Sequence, residues 1–184
     1  EEHATLLGPE LVKRFRITDH DCLDKENLVP MGTTSRGTPV IINRVAAEAD
    51  RLVLTGCCTY HPWVGYAGGK KSILPGISSI ESIQKNHMMT MDAQGRQRRE
   101  VASGNIRDNP IHEDMLEVAA IVKPTFLFNV IMGHDGKIAH AVCGDCIAAC
   151  SRSRCCCSVR SRNWPSALAP GVVLALSQSA LAWE

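Results

Sequence analysis

The segment Arg51-Leu-Val-Leu-Thr-Gly56 is a short apolar run that ends at a glycine, and it organises the middle of the chain. Its aliphatic side chains favour a buried β-strand, because they fit the pleated interior of a sheet. A second run, Val40-Ile-Ile42, has the same character. Between the two, Asn43 can cap a helix that continues through Ala49, since its side chain can accept a hydrogen bond from an open backbone N–H group.

Downstream of this segment, predicted helices and strands alternate. Ser78-Ser-Ile-Glu81 is a capping box that opens a helix to about His87, and Asn109-Pro110 opens a longer one. A strand over Phe126 to Met132 follows, and Ile138 to Val142 returns beside it as a hairpin. This order predicts an α/β fold: a layered, Rossmann-like domain with a mostly parallel sheet, an edge hairpin and an atypical C-terminal tail.

Upstream of the segment, the predictions are simpler. Leu6 to Phe15 is expected to form one short helix, and Phe15 to Thr18 a brief strand. Met31 to Pro39 is rich in glycine, threonine and proline, which is the composition of a loop.

Composition limits the classes of function. The 184 residues carry a net charge of +1, and 45% of them are hydrophobic, so one domain with a real core is expected. Near-neutral charge and only 4% aromatic residues argue against nucleic acid or an acidic membrane surface as partners. No secretory signal opens the sequence, and the apolar stretch from 171 to 183 is shorter than the roughly 20 residues of a membrane span. We therefore expect a cytoplasmic protein.

The tail differs in composition from the rest of the chain. Six of the nine cysteines lie within fifteen residues, at Cys143, Cys146, Cys150 and Cys155 to Cys157, among arginines and serines. We expect the cofactor-binding domain to occupy residues 1–147, incomplete at its N-terminus. Residues 148–184 have the composition of a tail that is out of frame or disordered. One alternative is a zinc-binding interaction module built from these cysteines, although their spacing is irregular for zinc.

Two histidines frame the loop that follows the central strand. His61 lies a few residues beyond the strand, where it can be a general acid or base or a loop histidine satisfied by the backbone. His87 lies near the end of the next predicted helix, where it can be a metal ligand or a residue favoured by the helix dipole. When each of these histidines is considered alone, the structural explanation is preferred to the functional one.

Glycines and lysines occupy the loop between those histidines. Gly68 and Gly69 permit positive φ and a close approach of the backbone to a ligand. Lys70 and Lys71 follow directly, but the glycine spacing is not that of a phosphate-binding loop. Lys71 can be an amine nucleophile or a solvated surface lysine.

Taken together, these motifs resemble those of the nickel-pincer-dependent lactate racemases and related 2-hydroxyacid racemases and epimerases. The resemblance covers about Leu6 to Asp145 and concerns the N-terminal domain of that family. It is carried by five segments in the same order: Asn27 to Val40, Glu48 to Asp50, His61 to Gly76, Asn86-His87 and Asn109 to Met115.

The resemblance implies a role for each residue of the loop. His61 matches an acid/base histidine, and Lys71 matches the lysine that binds the nickel-pincer mononucleotide covalently through a thioamide. His87 matches the histidine that completes nickel coordination. Gly68 and Gly69 would let the backbone approach this cofactor, and Trp63 would line its pocket.

The activity implied is that of an isomerase. The Cα hydride of a small 2-hydroxyacid such as lactate moves reversibly to the tethered cofactor, while histidines transfer the hydroxyl proton. The family has a second acid/base histidine upstream of Glu1 and a second domain that closes the cleft. We therefore expect a fragment, inactive alone, whose partners are the second domain of the parent protein and the cofactor-synthesis enzymes. A non-catalytic remnant that binds cofactor or metal is the alternative.

Overall fold

The computed structural model describes residues 2–133, 135–147 and 173–176. The described strands are β1 Leu28–Thr33, β2 Pro39–Asn43, β3 Leu52–Cys57, β4 Tyr60–His61, β5 Gly65–Tyr66, β6 Phe126–Met132, β7 Ile138–Gly144 and β8 Val173–Leu176. The described helices are α1 Glu2–Leu7, α2 Pro9–Arg14, α3 Arg44–Ala47, α4 Ile80–His87 and α5 Pro110–Val122. Short 3-10 turns cover Lys25–Asn27, Gly69–Ser72 and Met88–Thr90.

A four-stranded sheet in the order β7-β6-β3-β8 forms the centre of the molecule. Strand β3 runs parallel to both of its neighbours, and β7 returns antiparallel to β6 as an edge hairpin. This confirms the predicted α/β fold with a mostly parallel sheet. Strands β1 and β2 form a separate antiparallel pair, and β4 and β5 form a third, very small one.

Strand β8 lies in the tail that the composition sets apart. It pairs with β3 from Leu52 opposite Val173 to Thr55 opposite Leu176. The rest of the tail, including Cys150 and Cys155 to Cys157, lies outside the described residues. The predicted domain boundary between residues 147 and 148 therefore stays a prediction.

The N-terminal predictions are partly wrong. The single helix expected over Leu6 to Phe15 is two short helices, interrupted at Gly8, whose φ of +83° a helix cannot contain. Residues 15–18 form no strand. Met31 belongs to β1 rather than to a loop, because β1 pairs with β2 through a register irregularity that accommodates its glycine.

Three helices begin at side-chain caps. Asn43 accepts from the N–H of Val45 at 3.0 Å, and Asn109 accepts from the N–H of His112 at 3.3 Å, both as predicted. For α4, the cap is Ser79 rather than Ser78, which instead donates its hydroxyl to the carbonyl of Ile73. Each cap satisfies a helical N–H group that would otherwise lack a partner.

The core joins the central sheet to α5. Fully buried apolar residues come from strands, the loop after β3 and α5: Ile42, Leu54, Ile73, Leu74, Ile111, Met115, Val118 and Leu127. Helix α5 contacts α4, β1 and the turn Gly69–Ser72. The loop after β3 is therefore held between the sheet and α5. Across the described part of the chain, no helix combines the length and apolar character needed to cross a bilayer.

Candidate active site

The loop after β3 brings the candidate residues to one edge of the sheet. Because β3 and β6 are parallel, their carboxyl ends meet there, which is where ligands bind in open α/β sheets. The loop first forms the β4–β5 hairpin, in which His61 pairs with Gly65. It then turns at Gly68 and enters the 3-10 turn that carries both lysines.

His61 is half-buried at the end of β4, and its ring is oriented by the backbone. Its Nδ1 accepts from the N–H of Trp63 at 3.2 Å and from the N–H of Val64 at 3.4 Å. A neutral ring that accepts at Nδ1 carries its proton on Nε2. Burial, and then the positive charges of Lys71, Lys70 and His87, lower the pKa of His61 from 6.5 to about 4. The imidazole is therefore neutral at physiological pH.

NMR titration of His61 is expected to show a neutral ring with its proton on Nε2 at pH 7 and a midpoint near pH 4. The unfolded ring titrates near 6.5, so the unfolded chain binds more protons between the two values. Its contribution therefore makes the free energy of unfolding rise with pH through that window, and His61→Gln should reduce the slope. A midpoint at 6.5 in the folded chain would contradict the described environment.

The Gly68-Gly69 turn is packed against the sheet. Gly68 has φ +80° and Gly69 has φ +55°, and the N–H of Gly69 donates to Oδ1 of Asn129 at 3.1 Å. A Cβ at Gly68 would lie 3.0 Å from the carbonyl oxygen of Cys57 and 3.1 Å from Oδ1 of Asn129. Internal packing and backbone conformation thus require glycine at this position. The role of both glycines toward a cofactor stays a prediction.

Lys71 is partly buried on this turn, where its surroundings favour the neutral amine more than a surface position does. Burial, and then the charge of Lys70, lower the pKa of Lys71 from 10.5 to about 8. A substantial fraction of its amine is therefore unprotonated just above neutral pH. The turn is tied to β3, because the hydroxyl of Ser72 donates to the carbonyl of Thr55 at 2.9 Å.

His87 is the last residue of α4 and faces Trp63. The two rings meet edge to face, with centroids 5.6 Å apart and planes at 73°. Trp63 also lies 6.4 Å from the ring of His61. Burial, and then the charge of Lys71, lower the pKa of His87, which favours the neutral imidazole. Trp63 therefore lies beside the rings of both histidines, and its role in lining a cofactor pocket stays a prediction.

Four basic groups meet here: His61, Lys70, Lys71 and His87. The positive charges of the two lysines favour an anionic ligand, such as a carboxylate or a phosphate. In the described residues, no three His, Cys, Asp or Glu side chains gather to hold a metal ion. Any metal bound at His87 would thus need donors from another source.

A buried polar cluster beside the site is missing from the sequence predictions. Asp114 of α5 accepts from Thr34 at 2.6 Å, from Thr38 at 2.9 Å and from Nδ2 of Asn86 at 2.7 Å. Asn86 directly precedes His87. Asp114 is one of several acids at the start of this helix, and its partners lie up to 80 residues away in the sequence, so no local signal indicated the cluster.

The cysteines of the zinc alternative are only partly described. Cys143 lies in β7, and Cys146 is buried just after it. Burial raises the pKa of the Cys143 thiol, which disfavours the thiolate that zinc requires. The other four lie outside the described residues, so the zinc module stays an alternative.

Comparison with known sequences gives two findings. Residues 1–98 match the family model described as the lactate racemase N-terminal domain. A lactate racemase of Lactiplantibacillus plantarum is 37% identical over 149 residues, which are 81% of this chain and 34% of that protein. A lactate racemase of Thermoanaerobacterium thermosaccharolyticum is 35% identical over 144 residues, which are 78% of this chain and 33% of that protein. The chain thus spans about a third of the length of these curated relatives.

Comparison with solved structures extends the likeness to the fold. The lactate racemase apoprotein of T. thermosaccharolyticum superposes with a TM-score of 0.76 at 33% identity, covering 83% of this chain and 36% of that one. A protein of Thermotoga maritima superposes with a TM-score of 0.59 at 18% identity, covering 74% of this chain and 36% of that one, and it shares the fold alone.

Proposed function

Because the chain belongs to the lactate racemase N-terminal domain family, we propose that it is the cofactor-binding part of a racemase or epimerase of 2-hydroxyacids. The observation that carries this proposal is the proximity of His61, Lys71 and His87. Trp63 lies beside both imidazole rings, and the charge of Lys71 lowers the pKa of both histidines. A proton-transfer group, an amine nucleophile and a metal ligand are thus present in one cationic site. Lactate, a small carboxylate, suits that charge.

The residues fit a nickel-pincer mononucleotide as cofactor. The described residues offer a metal at this site one imidazole, not a cluster of three ligands, so a cofactor that brings its own donors suits the site. Imidazole is a suitable ligand for nickel, so His87 would hold the metal of such a cofactor. Lys71, with its pKa lowered to about 8, suits covalent attachment through its amine. Gly68, Gly69 and Trp63 would line the same side of the pocket.

The chemistry that the bound cofactor supplies is reversible oxidation of the substrate carbon that bears the hydroxyl group. The chain's own residues have other tasks. Lys71 would tether the cofactor, and His87 would provide an imidazole ligand to its nickel. Trp63 would exclude water from the space between the histidines. Because a thioamide link leaves Lys71 uncharged, the positive charge of Lys70 favours binding of the substrate carboxylate.

His61 would exchange a proton with the substrate hydroxyl. With its Nδ1 held by two backbone N–H groups, the resting ring presents Nε2–H as a donor. Acting as a base at Nε2 requires the ring proton to move to Nδ1. The two contacts are longer than the usual 2.9–3.0 Å or so, and such weak bonds release the ring readily. We propose that this tautomer exchange accompanies proton uptake from the substrate.

The test is covalent loading of this chain. Expressed with the cofactor-synthesis enzymes, the 184-residue chain is expected to gain the mass of the cofactor on Lys71 together with one nickel ion per chain. Intact mass spectrometry, peptide mapping and metal analysis measure this. A folded chain that carries no adduct after co-expression would refute the assignment. We expect no racemisation by this chain alone, because His61 is the single acid/base histidine assigned and two faces of the substrate need two.

A further inference from the structure

We propose that α5 is the positioning element of this site. Asn109 at its start holds the segment that carries His61 and Trp63, and Asp114, through Asn86, holds the end of α4 that carries His87. The catalytic meaning of this arrangement rests on the proposed function. The arrangement itself consists of hydrogen bonds within the chain, and these need no cofactor.

Asn109 makes the first link. Its side chain is fully buried, and its Nδ2 donates to the carbonyl of Trp63 at 2.8 Å and to the carbonyl of Asn105 at 3.0 Å. Its Oδ1 accepts from the N–H of His112 as the cap of α5. One side chain therefore begins the helix and fixes the backbone between His61 and the glycine turn.

Asp114 makes the second link. Its carboxylate is fully buried, and Oδ2 accepts from Nδ2 of Asn86 at 2.7 Å and from the hydroxyl of Thr38 at 2.9 Å. Oδ1 accepts from the hydroxyl of Thr34 at 2.6 Å. Hydrogen bonds to a carboxylate are shorter and stronger than neutral ones. Asn86 is also fully buried, so the last turn of α4 is fixed at the residue before His87.

The two links share one rigid support. Asn109 and Asp114 are five positions apart on α5, which corresponds to about 7.5 Å along a helix axis. A helix does not stretch, so the separation between the two attachments is fixed. The edge-to-face contact of Trp63 with His87, at 5.6 Å between centroids, spans the gap between the attached segments. Helix α5 thus sets how far the acid/base histidine lies from the proposed nickel ligand.

A contribution to stability alone does not explain why a carboxylate is buried at position 114. Burying a carboxylate is costly, and well-packed apolar groups in place of buried charged groups are often as stable or more stable. An apolar residue cannot orient neighbouring polar groups, whereas this carboxylate orients three hydrogen-bond donors from two other segments at once. Misplacement of a reacting group by about 1 Å can lower a rate about 100-fold, so such orientation has functional value.

The first test uses Asn109→Asp. Aspartate caps helices as well as asparagine does, but it has no N–H to donate to Trp63. In the full chain without cofactor, the nuclear Overhauser contact between the Trp63 indole and the His87 ring is expected to be lost, while circular dichroism keeps the helical signal. Signals are assigned with Trp63→Phe. Glu117→Gln is the matched control on α5: it weakens the exposed contacts to Ser35 and Arg36, and should leave the ring contact intact. An unchanged ring contact in Asn109→Asp would overturn the proposal.

The second test reverses the donor and the acceptor of the hydrogen bond between Asn86 and Asp114. Asp114→Asn alone leaves one acceptor oxygen for the three donors of Thr34, Thr38 and Asn86, so loss of the ring contact is expected. Adding Asn86→Asp restores a donor–acceptor pair with reversed direction and should recover the contact. A double variant no better than the single one would count against the link. If the single variant fails to fold, Asn109→Asp carries the test.

In the cofactor-loaded chain, Asn109→Asp and Asp114→Asn are expected to lower nickel affinity about 10- to 100-fold, as measured by competition with a chelator. Unchanged affinity would refute the functional part of the inference. This outcome is distinct from failure of the proposed function, in which the chain without substitutions gains no cofactor while the ring contact still depends on Asn109.

Discussion

Replacing Lys71 with arginine is expected to abolish covalent attachment of the cofactor. The guanidinium group keeps the positive charge but is never deprotonated in proteins, so it cannot act as the nucleophile. In the present chain, burial and then the charge of Lys70 lower the pKa of Lys71 to about 8, which makes its amine reactive near neutral pH. Intact mass of the co-expressed chain should therefore lack the adduct entirely, while circular dichroism shows a folded protein.

Lys70→Arg is the matched control for that change. Lys70 is 3% exposed and directly precedes Lys71, and arginine at this position retains the neighbouring charge. The adduct should persist, and peptide mapping should place it on Lys71. Acylation by a small reagent at pH 8 offers a test that needs no cofactor: Lys71 should react faster than solvated lysines such as Lys13. An adduct that survives in Lys71→Arg and disappears in Lys70→Arg would move the tether to the other lysine.

Gly65→Ala is expected to destabilise the fold by about 2–5 kcal/mol. Gly65 has φ +79°, which costs a residue with a side chain about 1–2 kcal/mol. In addition, a Cβ there would overlap the carbonyl oxygen of Asn105 and lie 2.9 Å from Cγ2 of Ile106, and such overpacking adds about 1–3 kcal/mol. Urea unfolding measures the loss. Because Gly65 pairs with His61, the same change should disturb the pKa of that imidazole.

Gly95→Ala isolates the contribution of backbone conformation. Gly95 has a similar φ of +74°, but a Cβ there would have no atom within 4 Å. Its replacement should cost only the conformational part, about 1–2 kcal/mol. The difference between the two variants measures how tightly the β4–β5 hairpin packs against the segment around Asn105. Equal losses would show that this packing is absent.

Local signals made much of the fold predictable. Strand β3, the hairpin of β6 and β7, and the caps at Asn43 and Asn109 depend on a few neighbouring residues, and the sequence predicted all of them. The failures involve competition between alternatives. Two adjacent serines can each cap α4, and only the contact of Ser78 with Ile73 decides for Ser79.

The candidate site was predictable as a set of residues but not as an arrangement. His61, Lys71 and His87 were named from the resemblance of the ordered motifs to a racemase family, and their roles stay predictions. Nothing local indicated that Nδ1 of His61 is held by the backbone, or that Asp114 binds Thr34 from 80 positions away. Such contacts depend on how α5 packs against the β1–β2 turn, and packing is a property of the folded chain.

The anchoring of the glycine turn has a consequence for the timescale of events at the site. The N–H of Gly69 donates a hydrogen bond to Asn129 in β6, and the hydroxyl of Ser72 donates one to Thr55 in β3. Hydrogen bonds therefore connect the turn to both central strands. A turn bonded to two central strands is expected to open together with the sheet, so its amide hydrogens should exchange slowly. Lys71 therefore extends from a backbone segment that is held in place by the sheet. A reactant that forms a bond to Lys71 must therefore come within reach of its side chain, because the backbone of the turn does not move toward it.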